Sequence, residues 1–147
     1  MTEKKRHTVF INGAITPDFI ADSISKHSGK TNIGGHDIFL GQVRNDTIGD
    51  KTVVAIEYSA YQEMAEEQFH EIREAAFAKY NLVCIHIYHS LGLVKAGEIC
   101  LFVFVSSKHR KDAFDACRDM VEQIKAMVPI WGKEFFEDES HSWKVNK

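Results

Sequence analysis

The sequence predicts an α+β fold with a largely antiparallel sheet and three helices. Apolar and β-branched runs come in pairs, segments with a helical apolar period stand between the pairs, and the resulting order is β-α-β-β-α-β-β-α-β-β. Such an order lets each strand pair close as a hairpin before the next helix intervenes. One domain over residues 1–147 is expected, because Pro17 and Pro129 are the only prolines and no linker, repeat or low-complexity tract divides the chain. With 44% apolar and 11% aromatic residues, a chain of this length buries a core without disulfides.

Thr8 to Ile11 reads as a short strand. Thr16-Pro17-Asp18 then supplies a cap and a proline at the first helical position, opening a helix to about His27. Gly29 to Gly35 is expected to be a loop. His36 to Val43 and Thr52 to Tyr58 are strands joined by a polar turn containing Asn45, Asp46, Gly49 and Asp50. Ser59-x-x-Gln62 has the form of a capping box, and Tyr61, Ala65, Phe69, Ile72, Ala76 and Tyr80 follow at helical steps. The glutamates of that segment, from Glu63 to Glu74, make a solvated face. Leu82 to Leu93 and Glu98 to Val105 flank Lys95-Ala96-Gly97 as two strands, the second so apolar that a central place is expected. A helix from about Ser107 to Met127 carries Ala113, Cys117, Met120, Ile124 and Met127 on one face and ends before Pro129. Ile130 to Phe136 and Ser142 to Val145 complete the set as short strands.

Composition excludes several function classes. Lys and Arg number 18 against 21 Asp and Glu, a net charge of −3, which does not suit a general nucleic-acid binder. The longest apolar run, Ile99 to Val105, is far short of the roughly 18 residues of a membrane span. Met1 to His7 is not followed by the apolar core of a signal peptide, so a cytoplasmic location is expected. Cys84, Cys100 and Cys117 lie in apolar segments and read as buried free thiols. Gly29-Lys30-Thr31 lacks the first glycine and the preceding strand of a P-loop. His86-x-x-His89 sits on a strand, where residues three apart face opposite ways, so that pair implies no metal. No nucleophile elbow or local cysteine signature points to hydrolase chemistry.

Cations remain in unusual places. Arg44 stands where a strand runs out into a turn, a common position for functional groups. His109 and Arg110 open the last helix, where positive charge opposes the dipole unless an anion binds among the exposed N–H groups. Lys125 lies in the last turn, where the dipole favours a cation in any case.

The strings Gly41-Gln42-Val43-Arg44-Asn45, Ser107-Lys108-His109-Arg110, Ala113-Phe114 and Lys125-Ala126-Met127-Val128-Pro129-Ile130-Trp131 resemble the MoaE family, the large catalytic subunit of molybdopterin synthase. The resemblance runs from about residue 8 to residue 145. It implies an α/β-hammerhead fold, and a homodimer bearing one small ubiquitin-like sulfur-carrier subunit on each protomer. It also implies the reaction: two sulfurs pass from the carrier's C-terminal Gly-Gly thiocarboxylate to cyclic pyranopterin monophosphate, giving the dithiolene of molybdopterin with neither a metal nor another cofactor.

Carried over residue by residue, the family's pterin-phosphate contacts fall on Gln42, Val43 and Arg44, on His109 and Arg110, and on Lys125. A further family segment falls on Gly132, Lys133 and Glu134. The family's second functional lysine is replaced here by Gly132, and Lys133 substitutes for it only if the backbone bends, because a one-residue shift in a strand reverses the side chain. Lys125 is the expected catalytic group, with Lys133 as its companion. His109 and Lys125 are separated by about 24 Å along one helix, so a site shared between two protomers is expected. A module that binds a phosphorylated pterin or nucleotide without turnover is the alternative that the Gly132 departure keeps open.

Overall fold

The computed structural model describes residues 8–144, so the leader reading of Met1 to His7 and the last predicted strand residue, Val145, lie outside the described residues. Eight strands and three helices are described: β1 (Phe10–Asn12), α1 (Pro17–Ser25), β2 (Gly35–Gln42), β3 (Thr47–Ile48), β4 (Lys51–Ala60), α2 (Gln62–Lys79), β5 (Cys84–Lys95), β6 (Ile99–Ser107), α3 (Arg110–Met127), β7 (Ile130–Phe136) and β8 (His141–Trp143). The sheet runs β2-β6-β5-β4-β7-β8, with β1 added to β5 and β3 to β4. Every strand pair is antiparallel except β1 with β5. The predicted fold class is therefore the one observed.

β5 joins the two halves of the sheet. Its first half, Cys84 to His89, pairs with β6, while Gly92 to Lys95 pair with β4. Gly92 has φ +82°, the left-handed region that a residue without Cβ enters freely. β6 lies between β2 and β5 and is covered on both faces, which explains its unbroken apolar run. Leu101, Val103 and Val105 join Phe69, Ile72, Met120 and Ile124 in the core beneath α2 and α3. Phe102 and Phe104 face the other way, into a cluster with Ile15 and Ile20. A third cluster, with Val43, Val53, Ile56, Val94, Cys100 and Phe136, fills the β4–β7 half.

α1 is capped as predicted, the Thr16 side chain accepting from the Phe19 N–H at 3.2 Å, although the helix ends at Ser25 and not His27. The capping box is not formed. Ser59 and Ala60 stay extended because they pair with Trp131 and Ile130 of β7, so Tyr61 becomes the N-cap, with no side-chain cap bond. Tyr61 is consequently exposed, and at the end of the α3 stripe Met127 is exposed too. α3 begins at Arg110 and not Ser107, since β2–β6 pairing extends to Gly35 opposite Ser107. The polar turn after β2 contains the unpredicted β3, a hairpin closed around Gly49, whose φ is +66°. All three cysteines are free and buried.

Candidate active site

The chain turns sharply where α3 ends. The Val128 N–H donates to the Ile124 carbonyl, Pro129 follows, and β7 starts at once beside β4. This places Lys125 at the mouth of a narrow cavity of about 40 Å³ whose walls include Tyr58, His89, Gly132 and Lys144. Lys125 is exposed as a residue, yet its ammonium is crowded enough for desolvation to lower its pKa, and the positive charges of Lys144 and Arg44 lower it further while Cys100 opposes them. An ammonium so placed gives up a proton more readily than an ordinary lysine.

The walls are tuned in the same way. Burial holds His89 down to about 4, with the Lys125 charge acting in the same direction against the bond to Ser90. That bond is donated by His89 Nδ1 to the Ser90 carbonyl at 2.8 Å, which leaves the imidazole neutral with Nε2 as an acceptor. Tyr58 is kept protonated by burial, then by Cys100 and Glu134, and its hydroxyl donates to Cys100 Sγ at 3.4 Å.

The predicted site residues divide into two groups. Lys125, Gly132 and Glu134 come together at the Tyr58 wall, Glu134 buried two residues beyond Gly132 on the same face of β7. Gln42 is exposed at the irregularity that ends β2 pairing, and Arg44 follows, its guanidinium forming two 3.1 Å bonds to the Asp46 carboxylate. Val43 faces the core at 2% exposure, its N–H donating to Glu98 and its carbonyl accepting from Gly97, so it anchors the loop and offers no free group. His109 and Arg110 do not join them. They stand at the start of α3, where Lys108 and Lys111 also border an open cleft of about 410 Å³ closed by Gly34. A Cβ on Gly34 would lie 2.0 Å from the Lys108 carbonyl oxygen, so only glycine permits this approach. Along α3 the two groups are about 24 Å apart.

Lys133 is a correction. β7 pairs with β4 without a bend at this point, Gly132 opposite Tyr58 and Lys133 opposite Glu57. Lys133 therefore points to the other face, where its ammonium lies 5.4 Å from the Trp143 ring and 5.8 Å from that of Phe135. The second lysine of the cavity is Lys144, which sequence reasoning missed. Its N–H donates to the Gly132 carbonyl at 2.8 Å, and its Cβ would be 3.8 Å from a Cβ on Gly132, an ordinary contact distance that makes the two positions direct neighbours. A Cβ there would also meet Ile56 Cγ2 at 2.9 Å. Only the register of β7 with β8, Lys133 opposite Trp143, reveals this pairing.

Comparison with known proteins agrees with this architecture. The molybdopterin synthase structure from Staphylococcus aureus superimposes with a TM-score of 0.81 at 31% identity, covering 93% of this chain and 96% of that one. A Helicobacter pylori complex of subunits 1 and 2 of molybdopterin-converting factor matches with a TM-score of 0.80 at 20% identity over 95% and 90% of the chains, a likeness of fold. The chain thus has the α+β fold of a molybdopterin synthase. The MoaE protein family model matches residues 15–127, and the molybdopterin synthase catalytic subunit of Pyrococcus abyssi is 41% identical over 110 residues, 75% of this chain and 73% of that protein. The human catalytic subunit is 40% identical over 114 residues, 78% of this chain and 60% of that protein. The chain belongs to the MoaE family, and with it to the enzymes of molybdenum cofactor biosynthesis.

Proposed function

We propose that the chain transfers two sulfurs to cyclic pyranopterin monophosphate, one from the C-terminal Gly-Gly thiocarboxylate of each of two small ubiquitin-like carrier molecules in turn, opening the cyclic phosphate and forming the dithiolene while each carrier leaves as its carboxylate. The observation that carries this reading is a lysine with a lowered pKa at the mouth of a narrow cavity, in the family whose relatives are catalytic subunits of molybdopterin synthase. A narrow cavity bordered by the side-chain-free Gly132 suits an unbranched glycine tail. The pterin then lies outside it, over Lys125 and Arg44. Both reactants are anionic, and their approach needs fixed cations in a site where water is scarce. Arg44 can exchange its exposed Asp46 partner for phosphate, because a surface ion pair of this kind is worth at most about 1 kcal/mol. Lys125 protonates the leaving phosphate oxygen, and Lys144 takes the part of the lysine that Gly132 replaces.

The distance along α3 supports a homodimer in which His109 and Arg110 of one protomer complete the Lys125 site of the other, each protomer carrying one sulfur carrier. The three free cysteines suit a reducing compartment such as the cytoplasm. None of the described helices is long and apolar enough to cross a membrane. Purified protein with thiocarboxylated carrier and cyclic pyranopterin monophosphate tests the proposal. Dithiolene product supports transfer. Tight pterin binding with no product under conditions where a known synthase turns over overturns it in favour of a binding module.

A further inference from the structure

On the sheet face away from Lys125, three side chains from two distant parts of the sequence meet. Cys84 and His86 are two apart on β5 and share a face, whereas His89, three beyond His86, turns to the Lys125 cavity. His27, just after α1, closes over them. One ligand-capable atom from each of His27, Cys84 and His86 lies within 4.8 Å of the other two, and His27 Nε2 and His86 Nε2 are 3.0 Å apart. His27 and Cys84 are buried, and an open groove of about 240 Å³ reaches His27 and His86 from outside.

The surroundings orient these atoms. His27 Nδ1 donates to the Ser23 carbonyl at 2.7 Å, so its tautomer leaves the Nε2 lone pair directed at the cluster. A second hydrogen bond of this type is what holds a metal-ligating imidazole in place. The His27 ring is stacked on Phe104 at 4.6 Å, which fixes its plane against an apolar floor. Lys30 Nζ donates to Cys84 Sγ at 2.8 Å, which holds the sulfur beside the two rings.

We propose that His27, Cys84 and His86 form a binding site for one zinc-class divalent cation, with two imidazole nitrogens, one thiolate and a water from the groove as ligands. Tetrahedral zinc with the usual bond lengths sets its nitrogen ligands about 3.3 Å apart and nitrogen and sulfur about 3.6 Å apart. The observed 3.0 Å between the two nitrogens and the 4.8 Å limit on the set bracket those values. A soft thiolate with two imidazoles selects zinc over magnesium or calcium. Binding releases the Cys84 thiol proton, while the His86 proton moves from Nε2 to Nδ1 so that both imidazoles ligate as neutral rings through Nε2. The ion would tie the end of α1 to β5, and it lies apart from the sulfur-transfer site.

Chelator-treated full-length protein, held reduced with a non-thiol reductant, is titrated with Co²⁺ and then with Zn²⁺. The expected result is saturation at one Co²⁺ per chain, with a thiolate-to-cobalt charge-transfer band in the near ultraviolet and the intense visible bands of tetrahedral cobalt, all displaced by Zn²⁺. Cys84→Ser removes the charge-transfer band, His27→Gln weakens Co²⁺ binding at least tenfold, and Cys117→Ser changes neither. Absence of saturable binding or of the thiolate band in the wild-type protein overturns the proposal, whatever the variants do. A thiolate band that survives in folded Cys84→Ser overturns it as well, since the sulfur would then come from another cysteine.

Discussion

His89 makes stability depend on pH in a way that the cavity itself dictates. Its ordinary value of 6.5 is lowered to about 4 by burial first, and the Lys125 charge adds to the effect. Below about pH 6.5 the unfolded chain takes up a proton at this position, but the folded chain does so only below about 4. Stability is therefore complete above about pH 6.5, falls as the pH drops between the two values, and loses nothing further from this group below about 4. A shift of about 2.5 units at about 1.4 kcal/mol each corresponds to about 3 kcal/mol, of which about 2 kcal/mol is gone at pH 5. The assay is urea unfolding of wild-type protein and His89→Gln at pH 7.5 and pH 5. The variant lacks the ionisable ring, so its loss of stability on acidification should be smaller than the wild type's by about 2 kcal/mol. His36, lowered by burial and by His27, is common to both proteins and cancels in the difference. Equal losses in the two proteins would refute a buried neutral imidazole beside Lys125.

Replacing Lys125 with Ala should abolish dithiolene formation while circular dichroism stays unchanged, because the side chain lies at a helix end and adds little to the core; turnover by the folded variant would remove it from the mechanism. Lys144→Ala should slow the reaction at least tenfold, about 1.4 kcal/mol in the barrier, whereas Lys133→Ala should react at nearly the wild-type rate; the reverse pattern in single-turnover rates would return the second-lysine role to Lys133. A mixed dimer of Arg110→Ala and Lys125→Ala chains, each inactive alone, should recover about half the wild-type activity, since one of its shared sites is then intact; an inactive mixed dimer would show that each chain builds its own site. Gly34→Ala should cost about 1–3 kcal/mol by urea unfolding and weaken phosphate binding at the start of α3, because the new Cβ cannot remain 2.0 Å from the Lys108 carbonyl oxygen; unchanged stability would contradict that close approach.

Whatever depends on near neighbours could be read from the chain itself. The apolar run of β6 required burial on both faces, the spacing of Ala113, Cys117, Met120 and Ile124 required a helix with one buried side, and Thr16-Pro17 required a helix start. Four short strings were enough to bring the family and Lys125 into view, and they did so before any distance was known. The remainder was decided by pairing between residues far apart in sequence. Ser59-x-x-Gln62 has the letters of a cap, but hydrogen bonding of β4 to β7 holds Ser59 extended, and the sheet outweighs the local preference. Lys133 follows the family's position immediately, yet the regular alternation of β7 turns it away, while Lys144 arrives from the next strand through a register that no local pattern encodes. His27, Cys84 and His86 likewise meet only because α1 closes over β5. A helical or strand period records which face a side chain takes; which other face it meets is set by tertiary packing, and the chemistry of both sites depends on those meetings.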